Sequence, residues 1–292
     1  MERKKFSLLD ISKPYGDKLV HRIIANETFD DVTEGTLGGF IENENNLSQE
    51  GSCWVYGDGV VADNAVVYGN AKIYDNSIIC ENALVYNDAK VFNNSVLSGN
   101  SRVFESAKIY DNAYITNNAR IYGSANITDY SSIYGNARVY GHLEIRGFTS
   151  IFENASVFGY KMSIHGLSKI YGNAMVYGNH LIYVFGNFNI SGNASISNNS
   201  SVFHFSDNDK YGNDYSITCF KTKTGYGINY NDIYFDNIDD FKRFVYESMI
   251  LNINKKRNLS YKDEFDALIE YMKKKIVRSF NYKKINIPEE LK

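Results

Sequence analysis

From Val55 to Val157 every sixth residue is Val, Ile or Leu, without a break. Val55, Val61, Val67, Ile73 and Ile79 open the series, and Ile145, Ile151 and Val157 close its unbroken part. Four positions on comes a small side chain, as at Ala65, Ala71, Ser77, Ala83 and Ala89, usually with Asn before it. A period of six fits neither a 3.6-residue helix nor a hairpin meander. It is the mark of a β-solenoid, whose stacked coils bury one continuous apolar column. The aliphatic residue points inward, and the small residue also turns inward at a corner with little room. The Asn before it is expected to take the φ > 0 that a tight corner requires. With a triangular cross-section, three six-residue sides give an 18-residue coil.

The register divides the chain. Residues 1–52 lack it and read as short strands and turns forming an N-terminal cap. Residues 53–205 carry it, through one extra residue between Val157 and Ile164 and two between Ile182 and Ile190. Residues 206–292 read as a C-terminal α+β cap. Ser216–Lys221 and Gly227–Phe235 form a strand pair around Thr224-Gly225. Asp239–Leu251 has a helical apolar pattern, and Ser260–Phe280 is a second amphipathic helix with Ser260 as its cap. Caps are needed because each end coil exposes strand edges and apolar core. The expected fold is therefore an all-β solenoid, a parallel β-helix of about eight coils closed by two caps.

The formal charge of -3 implies no strongly basic or acidic partner by itself. The chain shows neither a run of about 18 apolar residues nor a signal-peptide pattern, so a soluble cytoplasmic protein is expected. Cys53, Cys80 and Cys219 are odd in number and lack metal-site spacing, which fits reduced thiols and no metal.

The alternation of aliphatic and small residues resembles the hexapeptide-repeat left-handed β-helix proteins. That resemblance, not the spacing, implies a left-handed wind and makes a homotrimer or other homo-oligomer an expected state. A narrower likeness is to the YdcK-like group of phage and prophage proteins. It rests on Leu37-Gly38-Gly39-Phe40-Ile41-Glu42, Asn46-Leu47-Ser48, Cys53-Trp54-Val55-Tyr56 and the tail from Ile217 to the helix at Asp239–Phe244. No secure activity comes with that group.

Sorted by the 18-residue period, the outward positions form three columns. The first side carries Lys72, Lys90 and Lys108 beside Tyr74, Phe92 and Tyr110. The third carries Arg102, Arg120 and Arg138 beside Phe104, Tyr122 and Tyr140. Stacked rings stabilise neighbouring coils. The basic columns could instead hold a polyanion, with bases stacked on the rings. The second side is apolar at Val60, Ile78, Val96 and Tyr114, which suits burial under a terminal segment or in an oligomer interface.

Hexapeptide-repeat acyltransferases use a histidine as general base with an acyl-CoA or similar donor, and the resemblance raises that possibility here. His142 and His180 fall on one corner, and the one-residue slip around Tyr160 and Lys161, with His165 just beyond, lies between them. Irregular coils are where solenoids place function, so this corner is a candidate catalytic or ligand-binding pocket. The chain lacks the proline-glycine turns, long acceptor loop and Gly-rich late coils of that family. The leading expectation is thus a non-enzymatic, cofactor-free binding protein of phage type. Its rigid scaffold and charged C-terminal segment (Lys255, Lys256, Arg257 and Lys273–Lys275) would engage a protein partner, such as a host defence factor, or a second copy. The alternative is an acyltransferase-like enzyme.

Overall fold

The computed structural model describes residues 4–178, 182–185, 188–197, 202–208, 214–230, 233–251 and 258–280. They make a parallel β-solenoid of about 8 turns with a C-terminal strand and helix region. Two compact units are distinguished, Met1–Ser168 with Gly178–Gly186, and Lys169–Tyr177 with Asn187–Lys292.

In the first unit the 18-residue period is realised as parallel pairing of each side with the same side one coil on. Ile73 pairs with Val91 and Val91 with Ile109; Ile79 pairs with Leu97 and Leu97 with Ile115. Strands of two residues suffice because the inward aliphatic of each is fully buried, as at Val55, Val85, Ile121 and Ile133. Each such side chain contributes about 1.5–3 kcal/mol by leaving water.

The corners depart from the sequence expectation in one respect. The φ > 0 residue is not the Asn before the small residue but the position ahead of it. Asp63, Asp75, Glu81, Asn93, Glu105 and Asp111 take φ values of 57–59° there, and Gly57, Gly69 and Gly99 fill the same place elsewhere. A non-Gly residue in this region costs about 1–2 kcal/mol. The side chain offsets part of that cost by accepting the backbone N–H one coil on. Asp63 takes the Glu81 N–H at 2.9 Å, Asp75 that of Asn93 at 3.0 Å, and Glu105 that of Gly123 at 2.9 Å. The Asn instead builds an amide ladder: Asn100 donates to Asn118 at 3.1 Å, Asn118 to Asn136 at 3.1 Å, and Asn136 to Asn154 at 3.0 Å.

The coil path also starts earlier than residue 53. Leu37–Ile41 pairs in parallel with Val60–Val61, and Leu47 bridges Val67. Ile41 and Leu47 keep the six-residue step, but the step from Leu47 to Val55 is eight, which hides the register in the sequence. Phe6–Tyr15 and Lys18–Ala25 form an antiparallel hairpin on the outer edge of Leu37–Ile41. The two glycines of Leu37-Gly38-Gly39 are required by close approach. A Cβ on Gly38 would lie 2.5 Å from Ile23 Cγ1 and 2.7 Å from Trp54 Cζ2, and one on Gly39 would lie 2.6 Å from the Gly59 carbonyl oxygen.

In the second unit Lys169–Ile170 pairs with Asn189–Ile190, and Met175–Val176 with Ser195–Ile196. An antiparallel sheet of Val202–Asn208, Asp214–Lys221, Tyr226–Tyr230 and Ile233–Phe235 follows. Helices α1 (Ile238–Leu251) and α2 (Asn258–Phe280) come next; α2 begins two residues ahead of Ser260. Phe241 and Val245 of α1 and Phe265, Ile269, Met272 and Ile276 of α2 share one core with Ile217, Cys219 and Ile228 of the sheet. Fully buried Asn229 ties this sheet to the coil: its amide donates to the Asn189 carbonyl at 2.6 Å and accepts from Ser191 Oγ at 3.1 Å.

Candidate functional site

The extra residue after Val157 is a β-bulge. Strands Arg138–Ile145 and Ser156–His165 run continuously around a corner that other coils turn sharply, with His142 opposite Tyr160 and Leu143 opposite Met162. Lys161 is the residue left over, at φ 56°. The cause lies in the inward position. Ala71, Ala89, Ala107 and Ala125 fill this corner in earlier coils, whereas Leu143 and Met162 fill it here, both buried. The larger side chains push the corner open, and glycine lets the strand follow. Gly141 and Gly159 sit at φ 98° and 148°, and Cβ atoms there would fall 2.2 and 2.1 Å from the next coil's carbonyl oxygen.

The opened corner carries a shallow concavity of about 420 Å³ lined by Asn126, His142, Glu144, Arg146, Lys161 and Ser163 over Leu143 and Met162. His142 is exposed and its ring lies 5.4 Å from that of Tyr160, which is itself 52% exposed. The Lys161 ammonium lies 5.4 Å from the Tyr160 ring centre. Ser163 Oγ donates to Glu144 at 3.4 Å, and Arg146 lies 3.9 Å from the other Glu144 oxygen. Burial, reinforced by the Arg146 charge and partly opposed by Glu144, lowers the pKa of His165, which favours its neutral form. Among the described residues no hydrogen bond orients the His142 imidazole. His142, Tyr160 and Lys161 are thus brought together, with His165 electrostatically coupled through Arg146 and Glu144. His180 lies outside the described residues, as do Lys255, Lys256 and Arg257. Asn126, Glu144 and Ser163 join the site unforeseen, although counting by the coil period, with one residue added for the slip, puts all three in one column.

The remaining candidates separate. Lys72 is not available to a polyanion: its ammonium is 2.6 Å from Asp30 and 2.5 Å from Asp31, which the N-terminal loop delivers. Lys90 is half-buried and Lys108 exposed. Val60 takes the terminal-segment alternative: Val20 and Phe40 of the N-terminal strands bury it, with Ile78 packed alongside. Val96 is half-buried and Tyr114 is 44% exposed. The aromatic columns stack ring on ring at centroid spacings of 4.6–4.9 Å, as in Tyr86–Phe104, Phe104–Tyr122 and Tyr122–Tyr140. Their faces are occupied by one another, so no base can enter between coils. Arg102, Arg120 and Arg138 differ from Lys72. They are exposed and directly opposite one another in register, and among the described residues no carboxylate lies within salt-bridge distance.

Among the described residues, no group of three or more His, Cys, Asp and Glu side chains could hold a metal ion, and no helix is long and apolar enough to cross a membrane. All three cysteines are buried and free.

Comparison with known proteins agrees with the architecture. The YdcK β-solenoid repeat model matches residues 168–183. The chain is also similar to a protein of Escherichia coli (strain K12) described as the uncharacterized acetyltransferase YdcK, with 46% identity over 55 residues. That stretch is 18% of this chain and spans only 17% of the relative's length.

Proposed function

We propose that this β-solenoid is a non-enzymatic binding protein whose partner presents acidic groups to the arginine column and the opened corner. The arginine column carries the reading. Like charges directly opposite on neighbouring strands are destabilising, and here three arginines lie opposite one another in register with no carboxylate within salt-bridge distance among the described residues. A partner's anions would relieve that repulsion. The corner supports the same reading, since Lys161 and Arg146 both line the concavity and supply cations to it. The phage-like resemblance makes a bacterial host protein with an acidic surface the first partner to test. A cytoplasmic setting fits the three free thiols.

The test is retention on immobilised heparin and on polyglutamate across a salt gradient, comparing wild type with Arg102→Ser/Arg120→Ser/Arg138→Ser. The triple variant should elute at distinctly lower salt from at least one matrix, because exposed charges are screened within about 10 Å at 0.1 M. Equal retention of the two proteins on both would sink the proposal.

A second reading, acyl transfer, is favoured by the description of the Escherichia coli relative as an acetyltransferase and by the exposed His142 in the corner. It needs a donor to bind there and His142 to accept the acceptor's proton. Calorimetric titration with acetyl-CoA, with His142→Ala as control, decides it: no heat and no turnover against simple amine and hydroxyl acceptors would end this reading.

A further inference from the structure

Lys5 and Cys53 form a contact that the binding surface does not use. Lys5 is 3% exposed and Cys53 is fully buried. The Lys5 Nζ lies 3.3 Å from Cys53 Sγ, 3.1 Å from the Cys53 carbonyl oxygen and 3.2 Å from that of Gly51. The N-terminal strand and the first full coil are thus held with an amine against a thiol, across 48 residues of chain. A buried lysine is rarely kept unless it is paired, and its polar partners here are backbone carbonyls and sulfur.

We propose that Lys5 and Cys53 are a covalent modification site, at which peroxide oxidation joins Nζ to Sγ through one oxygen atom. In the first step hydrogen peroxide oxidises the thiol to sulfenic acid and leaves as water. In the second, sulfenic acid, amine and another peroxide give the N–O–S bridge and two waters. The amine keeps one hydrogen, sulfur and nitrogen are oxidised, and both peroxides are reduced. Four small thiols reverse the change, returning amine, thiol and one water while forming two disulfides. The geometry favours the bridge over further oxidation, because the amine is already in contact with the sulfur. Burial lowers the Lys5 pKa, partly opposed by Cys53, and raises that of Cys53. Raising the pH therefore supplies more neutral amine and more thiolate together, and bridge formation should accelerate from pH 7 to 9.

The experiment uses the full chain with Cys80→Ser and Cys219→Ser, treated with hydrogen peroxide at pH 7 and 9 and read by intact and peptide mass spectrometry. The expected product is heavier by about 14 Da, one oxygen gained and two hydrogens lost. It should link the peptide containing Lys5 to that containing Cys53 and revert with dithiothreitol. Lys5→Arg, which keeps a cation among the carbonyls, should instead give sulfenic, sulfinic or sulfonic Cys53 without a link. If the serine background does not fold, peptide mapping of the oxidised wild type gives the same answer. Oxygen added at Cys53 alone in the unsubstituted Lys5 chain, or no mass change at either pH, overturns the proposal.

Discussion

At the scale of single residues, the corners decide which side chains are replaceable. Gly159 sits at φ 148°, where a Cβ would meet the Gly178 carbonyl oxygen at 2.1 Å. Gly16 has φ 59° with open space around it. Gly159→Ala should therefore cost about 3 kcal/mol or more, from strain plus the clash, whereas Gly16→Ala should cost about 1 kcal/mol. Urea unfolding midpoints would check the contrast, and equal losses would contradict it. Asp31 offers a pH test. Its own burial raises its pKa, but the hydrogen bonds from Lys72 and Tyr56 outweigh that and hold it below the ordinary carboxylate value. A depressed folded-state pKa means stability present above the unfolded value and lost as pH falls through the folded one. The N-terminal loop should therefore loosen in acid, below about pH 4. Trp54, the single tryptophan, packs edge-on against Phe29 of that loop at 5.5 Å, so its emission reports the change. Asp31→Asn should weaken the acid transition.

At the scale of elements, each irregularity has a local cause. The slip after Val157 becomes a bulge because Leu143 and Met162 replace alanine at an inward corner. The C-terminal sheet is joined to its coil through Asn229, Ser191, Asn189 and Thr218, all buried. Asn229→Leu would remove the hydrogen bonds to the Asn189 carbonyl and from the Ser191 hydroxyl, each loss at a buried polar group costing about 1–3 kcal/mol. Thermal unfolding should show the second unit destabilised by at least about 2 kcal/mol, with hydrogen exchange of residues 61–133 unchanged. Uniform loss of protection across both units would refute this.

At the scale of the whole molecule, solenoid stability is a sum of nearest-neighbour terms. Removing residues 206–292 deletes Thr218 and Asn229, the partners of the coil at Asn189–Ser191. Hydrogen exchange on the truncated protein should show residues 188–197 unprotected and the coils from Val55 to Val139 still protected. Collapse of protection throughout would mean that the solenoid depends on its C-terminal sheet for more than local closure.

The sequence by itself determined the coil, because a six-residue period places one inward aliphatic on each side of every coil. It also placed both C-terminal helices, since an amphipathic stripe needs no knowledge of its partner. The corner slip was visible as one extra residue, and His142 and Lys161 could be named from it. What lay in contacts between distant segments was not legible. Asp30 and Asp31 reach Lys72 across about 40 residues and take it out of the basic column. Phe40 and Val20 cover Val60, and Lys5 reaches Cys53. None of these leaves a periodic trace. Only the tertiary structure decided which surface charges stay free, because a charge is neutralised by whatever the fold brings beside it.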